Sequence, residues 1–332
     1  MYRMDYDIRI GGTALPLLTS VKISKDVTKL TDTATIICPA VSHGRPLAFA
    51  KNLKKWQHVT IELGYDGKLR REFDGYVKSV ALDDNQLRIE CEDALLLFQR
   101  VTIPNGELKD VSLEQLLKHV IGKVNEYLQA ESLGEPLSVD CRYSYGYDKF
   151  TFVNNATAYS VMEQIQKEGA PNIYISDNVL HIVPQYTDTT GEAVYSMQRN
   201  ICKSGLNLKW RDENDRQLLV KVESKPKNGK PLTAQAGTAG GDTMSLAFST
   251  ITDLKSLQAI ADNFHRSKIY TGYEGSFEAW LVPSCDAGFL VTLEDDKKSL
   301  RTGRYYVISV AVEFSSSGAK RTVSLGASVN KG

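Results

Sequence analysis

The stretch Tyr76–Leu82 reads YVKSVAL, and the stretch Tyr306–Val312 reads YVISVAV. Each is followed by a polar turn and a second alternating stretch, Leu87–Cys91 in the first case and Arg321–Leu325 in the second. Alternation with a period of two residues predicts β-strands. A coincidence between two β-rich heptapeptides would explain the match, but the shared strand–turn–strand order favours a duplicated β module.

The sequence around the first copy predicts a β-barrel domain. Val59–Leu63 alternates, Tyr65–Lys68 contains an Asp-Gly hairpin turn, and Arg71–Val80 resumes the strand pattern. Several short strands at this spacing are typical of a small barrel or sandwich. We therefore predict a first, tube-forming β-barrel over residues 1–104.

Residues 105–199 change to a mixed pattern. Ser112 precedes a stretch, Leu113–Val124, whose apolar residues share one helix face, so it is expected to cap that helix. A second helix is predicted over Ala156–Glu168, and Ile173–Val183 has the pattern of a β-hairpin. These elements predict an α+β insertion domain.

Residues 200–332 return to β patterns and predict a second β-barrel domain. Lys225–Gly241 is rich in Lys, Pro, Gly and Thr, which indicates an exposed loop. A third helix is predicted over Thr252–His265, within a helical insertion at about residues 245–272. The predicted fold class is mixed and mainly β, with two similar antiparallel β-barrels flanking and interrupted by α+β insertions.

The duplication makes a prediction that the structure can contradict. The strand beginning at Tyr76 and the strand beginning at Tyr306 are expected in two separate modules of like architecture. Unlike surroundings for the two strands, or their packing together in one shared sheet, would contradict this prediction.

Composition and charge narrow the classes of function. The chain has 332 residues, 42% of them hydrophobic and 24% charged, which is ordinary for a soluble globular protein. Its 40 basic and 40 acidic residues give zero formal net charge, whereas proteins that grip nucleic acid usually have a basic excess. The sequence has no apolar run of about 18–20 residues, and Met1–Ile10 lacks the pattern of a secretory signal. We expect folding in a cytoplasm, with no membrane insertion.

The sequence carries no recognisable catalytic or metal-binding signature. The five cysteines are widely spaced in apolar contexts, so we interpret them as buried thiols, and no histidine has a second His or Cys at metal-ligand spacing. Gly229–Lys230 lacks the first glycine of a phosphate loop because Ser224 stands there, and Pro231 replaces the required Ser or Thr. A glycosidase pair of carboxylates distant in sequence stays open as an alternative. We predict that the protein is not an enzyme and that it holds no metal or cofactor.

Segments spread over nearly the whole chain carry a family resemblance. They are Phe73–Val77 and Leu87–Asp93 in the first β region, Phe152–Ala158 and Ile165–Gly169 in the middle, and Gly303–Val307 and Phe314–Gly326 in the last region. With these segments the chain resembles the phage baseplate hub family, which includes late control D proteins, Mu-like tail proteins and the N-terminal part of type VI secretion spike proteins. No single motif is specific, and the order of the segments with the duplicated unit carries the resemblance.

The resemblance implies an assembly. Each hub protomer is expected to carry two similar barrels, and three protomers are expected to form a homotrimeric ring of six barrels around a central channel. One side of the ring would meet the six-fold tail tube protein and the other the three-fold spike protein, and phage DNA would pass through the lumen without specific binding. The implied location is the baseplate of a phage or prophage virion tail, assembled in the cytoplasm of the bacterial host.

Six residues are the candidates for structural or interface roles. We expect Gly75 and Gly275 to permit close backbone approach or bulges in barrel strands. The aromatic candidates for barrel core or interface are Phe73, Tyr76, Phe277 and Tyr306. Of the two roles, ordinary core packing is the favoured explanation for each of these residues.

Three other functions stay open at this point. Tyr143, Tyr145 and Tyr147 alternate on one predicted strand and would form an aromatic face of the kind that stacks on sugars, as in a carbohydrate-binding or adhesion module. A tail-associated enzyme that cleaves cell walls is a second alternative. A hub-like part of a contractile secretion apparatus is a third.

Overall fold

The computed structural model describes residues 3–329 except residues 43, 44, 47, 144, 145, 170, 177, 185–188, 226–229, 249, 250, 252, 299 and 300. Strands and helices are numbered in chain order. The first part contains β1 (Met4–Ile10), β2 (Thr13–Ala14), β3 (Ser20–Asp26), β4 (Thr33–Pro39), β5 (Val41–Ser42), β6 (Arg45–Pro46), α1 (Ala48–Asn52), β7 (His58–Tyr65), β8 (Lys68–Asp83) and β9 (Gln86–Glu92).

The middle and last parts complete the chain. The middle contains β10 (Gly106–Ser112), α2 (Leu113–Glu131), β11 (Ser138–Cys141), β12 (Gly146–Phe152), α3 (Ala158–Gly169), β13 (Asn172–Ser176) and β14 (Val179–Val183). The last part contains β15 (Glu192–Ser196), β16 (Ile201–Arg211), β17 (Leu218–Ser224), β18 (Leu232–Gly237), β19 (Asp242–Phe248), α4 (Leu254–Lys268), β20 (Gly272–Ala279), β21 (Leu290–Glu294), β22 (Gly303–Ser315) and β23 (Gly318–Ser328). The predicted predominance of β structure is confirmed.

Two sets of six strands have the same arrangement. We call β1, β3, β4, β7, β8 and β9 the first module, and β15, β16, β20, β21, β22 and β23 the second module. Across the sheet the first module runs β3-β4-β9-β8-β7-β1, and the second runs β16-β20-β23-β22-β21-β15. If the strands of each module are lettered a to f along the chain, both orders are b-c-f-e-d-a. The two modules differ at one pair, because β1 is antiparallel to β7 whereas β15 is parallel to β21.

The duplicated hairpin carries the same irregularity in both modules. Between β8 and β9 the pairing passes from Val77 to Ser79, so Lys78 is an extra residue on its strand. Between β22 and β23 it passes from Val307 to Ser309, so Ile308 is the extra residue. A β-bulge bends its strand and changes which face the following side chains point to. The equivalent bulges confirm that the two heptapeptides have like structures.

The expectation of two separate β-barrels is not confirmed, because no closed barrel is found among the described strands and the two matching strands, β8 and β22, lie in one shared sheet. β22 pairs with β3, and this pairing joins the modules in one 13-stranded sheet in which β3, β4 and β9 lie between β22 and β8. No strand pair within the described ranges closes either module into a barrel. The physical reason lies in the length of β22, whose first part pairs with β21 and whose second part extends beyond it and pairs with β3.

Two insertions form a second core beside this sheet: β10 to β14 with α2 and α3, and β17 to β19 with α4. α2 begins as predicted, because the Ser112 hydroxyl accepts a hydrogen bond from the Gln115 amide at 3.2 Å, and the Gln115 side chain accepts one from the Ser112 amide at 3.0 Å. The helices α2 and α3 pack with the sheet of β11, β14 and β13, and α4 packs on the sheet of β17, β18 and β19. Apolar residues of both insertions share this core, whereas the apolar residues of both modules share the other.

Two local predictions need correction. The predicted loop Lys225–Gly241 contains β18, because Leu232, Ala234 and Ala236 alternate toward the core beneath α4; residues 226–229 lie outside the described residues. The third helix begins at Leu254, where Asp253 accepts a hydrogen bond from the Ser256 amide, and it extends to Lys268. No helix in the described part of the chain is long and apolar enough to cross a membrane.

Candidate assembly interface

The junction between the two modules is a strand pairing whose inner face is apolar except for Lys25, which lies opposite Val310. β22 and β3 pair in antiparallel register, with Val312 opposite Ile23 and Phe314 opposite Val21. All four side chains are buried. On the outer face Glu313 lies opposite Lys22, and their charged groups are 2.8 Å apart. Cross-strand pairs of both kinds stabilise a sheet, so this junction fixes one module against the other.

A buried ion pair lies behind the junction. The guanidinium of Arg321 on β23 donates a hydrogen bond to the Glu72 carboxylate on β8 at 2.7 Å, and both side chains are buried. Arg321 also donates to the backbone carbonyl of Cys285. Burial raises the pKa of Glu72, and the charge of Arg321 opposes this rise. Because a buried charge is tolerated only when it is paired and hydrogen-bonded, this pair fixes the relative position of the modules.

Further polar contacts cross the same junction. Asp286, in the second module, accepts hydrogen bonds from Lys25 at 2.8 Å and from Arg70 at 2.9 Å, both in the first module. The Tyr65 hydroxyl donates to the Ala319 carbonyl at 2.7 Å. The junction therefore combines a strand pairing, an apolar contact and a network of charged hydrogen bonds.

A pair of half-buried carboxyl groups, Asp32 and Asp93, supports the end of the first module. The Asp32 amide donates to the Asp93 carboxylate at 2.8 Å, and Asp93 also accepts from the Leu95 amide at 2.9 Å. Burial raises the pKa of Asp32 to about 6, with Lys25 opposing the rise, and burial together with Asp32 raises the pKa of Asp93. These contacts connect the β3–β4 turn to the turn that leads into the middle insertion, which gives the pair a structural role.

The aromatic candidates lie at different depths. Phe73 and Phe277 are buried in the core that both modules share, and Tyr306 is buried on β22, opposite Leu290 of β21. The Phe277 ring packs edge-to-face with Tyr195, with centroids 5.0 Å apart. Tyr76 is half-buried, and its hydroxyl donates to the Leu133 carbonyl at 3.2 Å. Tyr76 therefore connects the first module to the middle insertion, while Phe73 and Phe277 fill the shared core.

The two glycine candidates lie at close backbone contacts. A Cβ atom at Gly75 would be 2.2 Å from the Glu92 carbonyl oxygen, and one at Gly275 would be 2.1 Å from the Asn207 carbonyl oxygen. Gly275 also has a φ of +114°, which residues with a Cβ rarely adopt. Its position opposite Leu208 brings β20 and β16 together.

Sequence reasoning missed the charged residues of the junction. Arg321 alternates with Ala319, Val323 and Leu325 on the inward face of β23. A cation on an otherwise apolar face was therefore a signal that the sequence offered. Glu72 has no such signal, because the register shift opposite Ile61 turns it inward next to another inward residue. Pairing across the two modules joins residues 249 positions apart, which no local pattern indicates.

The structure bears on the other predicted sites. Tyr147 is buried, its hydroxyl donates to Glu168 at 2.9 Å, and its ring packs edge-to-face on Phe150, so it belongs to a core and not to a sugar-binding face. Tyr143 is only half-buried, and Tyr145 lies outside the described residues. In the described part of the chain no three His, Cys, Asp or Glu side chains are grouped so that they could hold a metal ion.

Comparisons with known proteins are informative at the level of structure. No protein-family model and no curated protein matches the chain. A tail protein of Neisseria meningitidis is similar in structure over 98% of this chain and 97% of its own, with a TM-score of 0.65 and 13% identity. The 43 kDa tail protein of prophage MuSo2 from Shewanella oneidensis is similar over 97% and 98% of the two chains, with a TM-score of 0.63 and 13% identity.

A secretion component shares the same architecture. An E. coli component of the type VI secretion system, itself structurally similar to the T4 bacteriophage tail proteins gp27 and gp5, matches over 98% of this chain and 77% of its own. Its TM-score is 0.59 and its identity 8%. At these identities the likeness is one of fold. The resemblance that the sequence suggested is therefore found in three dimensions: the chain has the fold of phage and prophage tail proteins, which a type VI secretion component shares.

Proposed function

We propose that this protein is a non-enzymatic structural hub of a phage or prophage tail baseplate. Three copies form a ring of six modules around a channel. The ring meets the six-fold tail tube on one side and the three-fold spike on the other, and phage DNA passes through without specific binding. The observation that carries the proposal is the repetition of one strand order, with one bulge position, in two modules placed side by side in a single sheet.

The physical argument is geometric. In a cyclic assembly each copy meets the next through two different surfaces, and the ring closes when the rotation between neighbours closes. Because each chain already holds two like modules joined by a contact between two different strands, β22 and β3, three chains present six modules. A partner that contacts only the six modules of such a ring meets near six-fold symmetry. A partner that also contacts the insertions meets three-fold symmetry, because the two insertions of each chain differ from each other.

The charge of the chain suits a conduit. Binding of DNA through its phosphates depends on an excess of Lys and Arg, and this chain has 40 basic and 40 acidic residues. A neutral ring would let a duplex slide without strong retention. The closed barrels predicted from sequence are replaced in this proposal by open modules that complete their sheets in the assembled ring.

A hub of a contractile secretion apparatus is the second candidate. The likeness to the E. coli type VI secretion component favours it, because that protein has the same fold over nearly all of this chain. The two candidates share the ring and differ in the particle that contains it.

Native mass measurement together with antibody labelling tests the proposal. The expected mass is three times the 36.9 kDa of one chain, and the antibody is expected to label the baseplate end of tail particles in electron micrographs of induced lysates. Label along the tube or at a fibre tip would contradict the hub. A chain that stays monomeric with and without its tube and spike partners would contradict the ring.

A further inference from the structure

The junction inside the chain leaves two matching surfaces unused. β22 has two parts: its first part pairs with β21 and its second part, from Ser309 onward, pairs with β3. The equivalent strand β8 pairs with β7 up to Tyr76. From Ser79 to Asp83 it pairs with β9 on one edge, and the other edge has no strand partner within the described residues.

The strand equivalent to β3 is also an open edge. β3 pairs with β4 on one side and with β22 on the other. β16 holds the same position in the second module and pairs with β20 alone among the described strands. The first module therefore exposes the surface that β22 uses, and the second exposes the surface that β3 uses.

The shared bulge sets the equivalence on one strand. Ser79 corresponds to Ser309, because both follow the extra residue, and two and three positions later Ala81 and Leu82 correspond to Ala311 and Val312.

Register through the sheet sets the equivalence on the other strand. Cys91 lies opposite Val77, and Leu325 lies opposite Val307, so Cys91 and Leu325 correspond. Cys91 pairs with Ala34, which pairs with Ile23. Leu325 pairs with Gly275, which pairs with Leu208. Leu208 is therefore the counterpart of Ile23, and Leu206 is the counterpart of Val21.

Exposure shows which surfaces lack a cover. Val312 is 1% exposed at the internal junction, whereas its counterpart Leu82 is 67% exposed. Val21 is 0% exposed, whereas its counterpart Leu206 is 44% exposed. Large apolar side chains on an unpaired strand edge are a template for pairing with another chain.

We infer that the free part of β8 in one copy pairs with β16 of the next copy, antiparallel and with Leu82 opposite Leu208, repeating the internal pairing of Val312 with Ile23. The inference rests on the proposed ring and names the contact that closes it. In this register Asp83 takes the place of Glu313 and Asn207 that of Lys22, and Lys209 lies diagonal to Asp83 on the outer face, so opposite charges are neighbours there as Glu313 and Lys22 are inside the chain. Six junctions, alternately internal and between copies, then join the six modules.

Cysteine cross-linking tests the register. The background carries Cys202→Ser, since Cys202 is a half-buried native thiol on β16. In that background Leu82→Cys with Leu208→Cys is expected to give covalent dimers and trimers on a non-reducing gel, which a reductant returns to single chains. Leu82→Cys with Leu206→Cys places the thiols on the same face but two residues out of register, and is expected to cross-link far less. Equal cross-linking by both pairs, or stronger cross-linking by the second, would overturn the inference.

A surface variant separates this inference from the proposed function. Leu82→Lys is expected to abolish the trimer while the unfolding temperature of the single chain is retained, because this side chain is already exposed. Leu254→Lys, at a residue 54% exposed on α4, is the matched control and is expected to leave the trimer intact. If the wild-type chain forms trimers, the Leu82→Lys variant still forms them, and Leu82→Cys with Leu208→Cys gives no cross-link, then the proposed register is wrong and the proposed hub is unaffected. A wild-type chain that never forms trimers would overturn both.

Discussion

The Arg321 guanidinium and the Glu72 carboxylate lie 2.7 Å apart, fully buried, at the junction of two modules that the chain has built on one plan. The pair joins β23 of the second module to β8 of the first. Its position explains why the two modules behave as parts of one core even though each has its own complete strand order.

Removal of one partner of this pair should destabilise the chain strongly. Arg321→Met leaves the Glu72 carboxylate buried with Arg70, 4.0 Å away, as its remaining cation partner, and the loss in unfolding free energy is expected to be about 3 kcal/mol. Arg321→Met combined with Glu72→Leu removes both charges and is expected to regain most of that loss. Urea unfolding followed by circular dichroism measures both. A single variant as stable as the wild type would show that the junction does not depend on the pair.

Gly275→Ala should weaken the attachment of β16. The added Cβ would meet the Asn207 carbonyl oxygen at 2.1 Å in a backbone conformation with φ of +114°, so a loss of about 2 kcal/mol or more is expected. Gly122→Ala is the matched control, because no atom lies within 4 Å of its Cβ position, and as a substitution inside α2 it is expected to stabilise by about 0.5–1 kcal/mol. Thermal unfolding compares the two variants. Similar effects of the two substitutions would contradict the close approach.

Asp32 should make part of the stability dependent on pH. Burial raises its pKa from 3.8 to about 6, so the folded chain holds this proton more tightly than the unfolded chain. The resulting stabilisation is complete below about pH 4 and is lost as the pH rises through about 6. Asp32→Asn removes that loss, and its stability relative to the wild type is expected to be about 2 kcal/mol more favourable at pH 7 than at pH 4.

Chemical unfolding of both proteins at the two pH values measures this difference. Carboxyl groups whose pKa values are lowered, such as Asp140 and Asp295, lose stabilisation as the pH falls, but they are common to both proteins and cancel in the comparison. A relative stability that is unchanged between the two pH values would contradict the raised pKa.

Sequence was sufficient where a local pattern determines the structure. The match of Tyr76–Leu82 with Tyr306–Val312 predicted a duplicated hairpin, because inward and outward side chains alternate along both strands and the same bulge interrupts them. Ser112 predicted the start of α2 for a similar reason, since a helix cap and the amide that it bonds are neighbours in the sequence.

Sequence was insufficient where the structure depends on contacts between segments that are distant along the chain. A strand pattern does not tell which edge a strand will pair with, so the contact of β22 with β3 and the single sheet it creates were not predictable. β18 was missed because the glycines, lysines and proline around it dominate the composition, while its inward residues gain their burial only beneath α4.

A three-dimensional reconstruction of the assembled copies by single-particle electron microscopy tests the central claim most directly. The account predicts a ring of three chains in which six like modules surround an open channel, joined alternately by β22–β3 contacts within chains and β8–β16 contacts between them. A ring with another number of chains, or a trimer held together by the insertions with the edges of β8 and β16 still exposed, would contradict it.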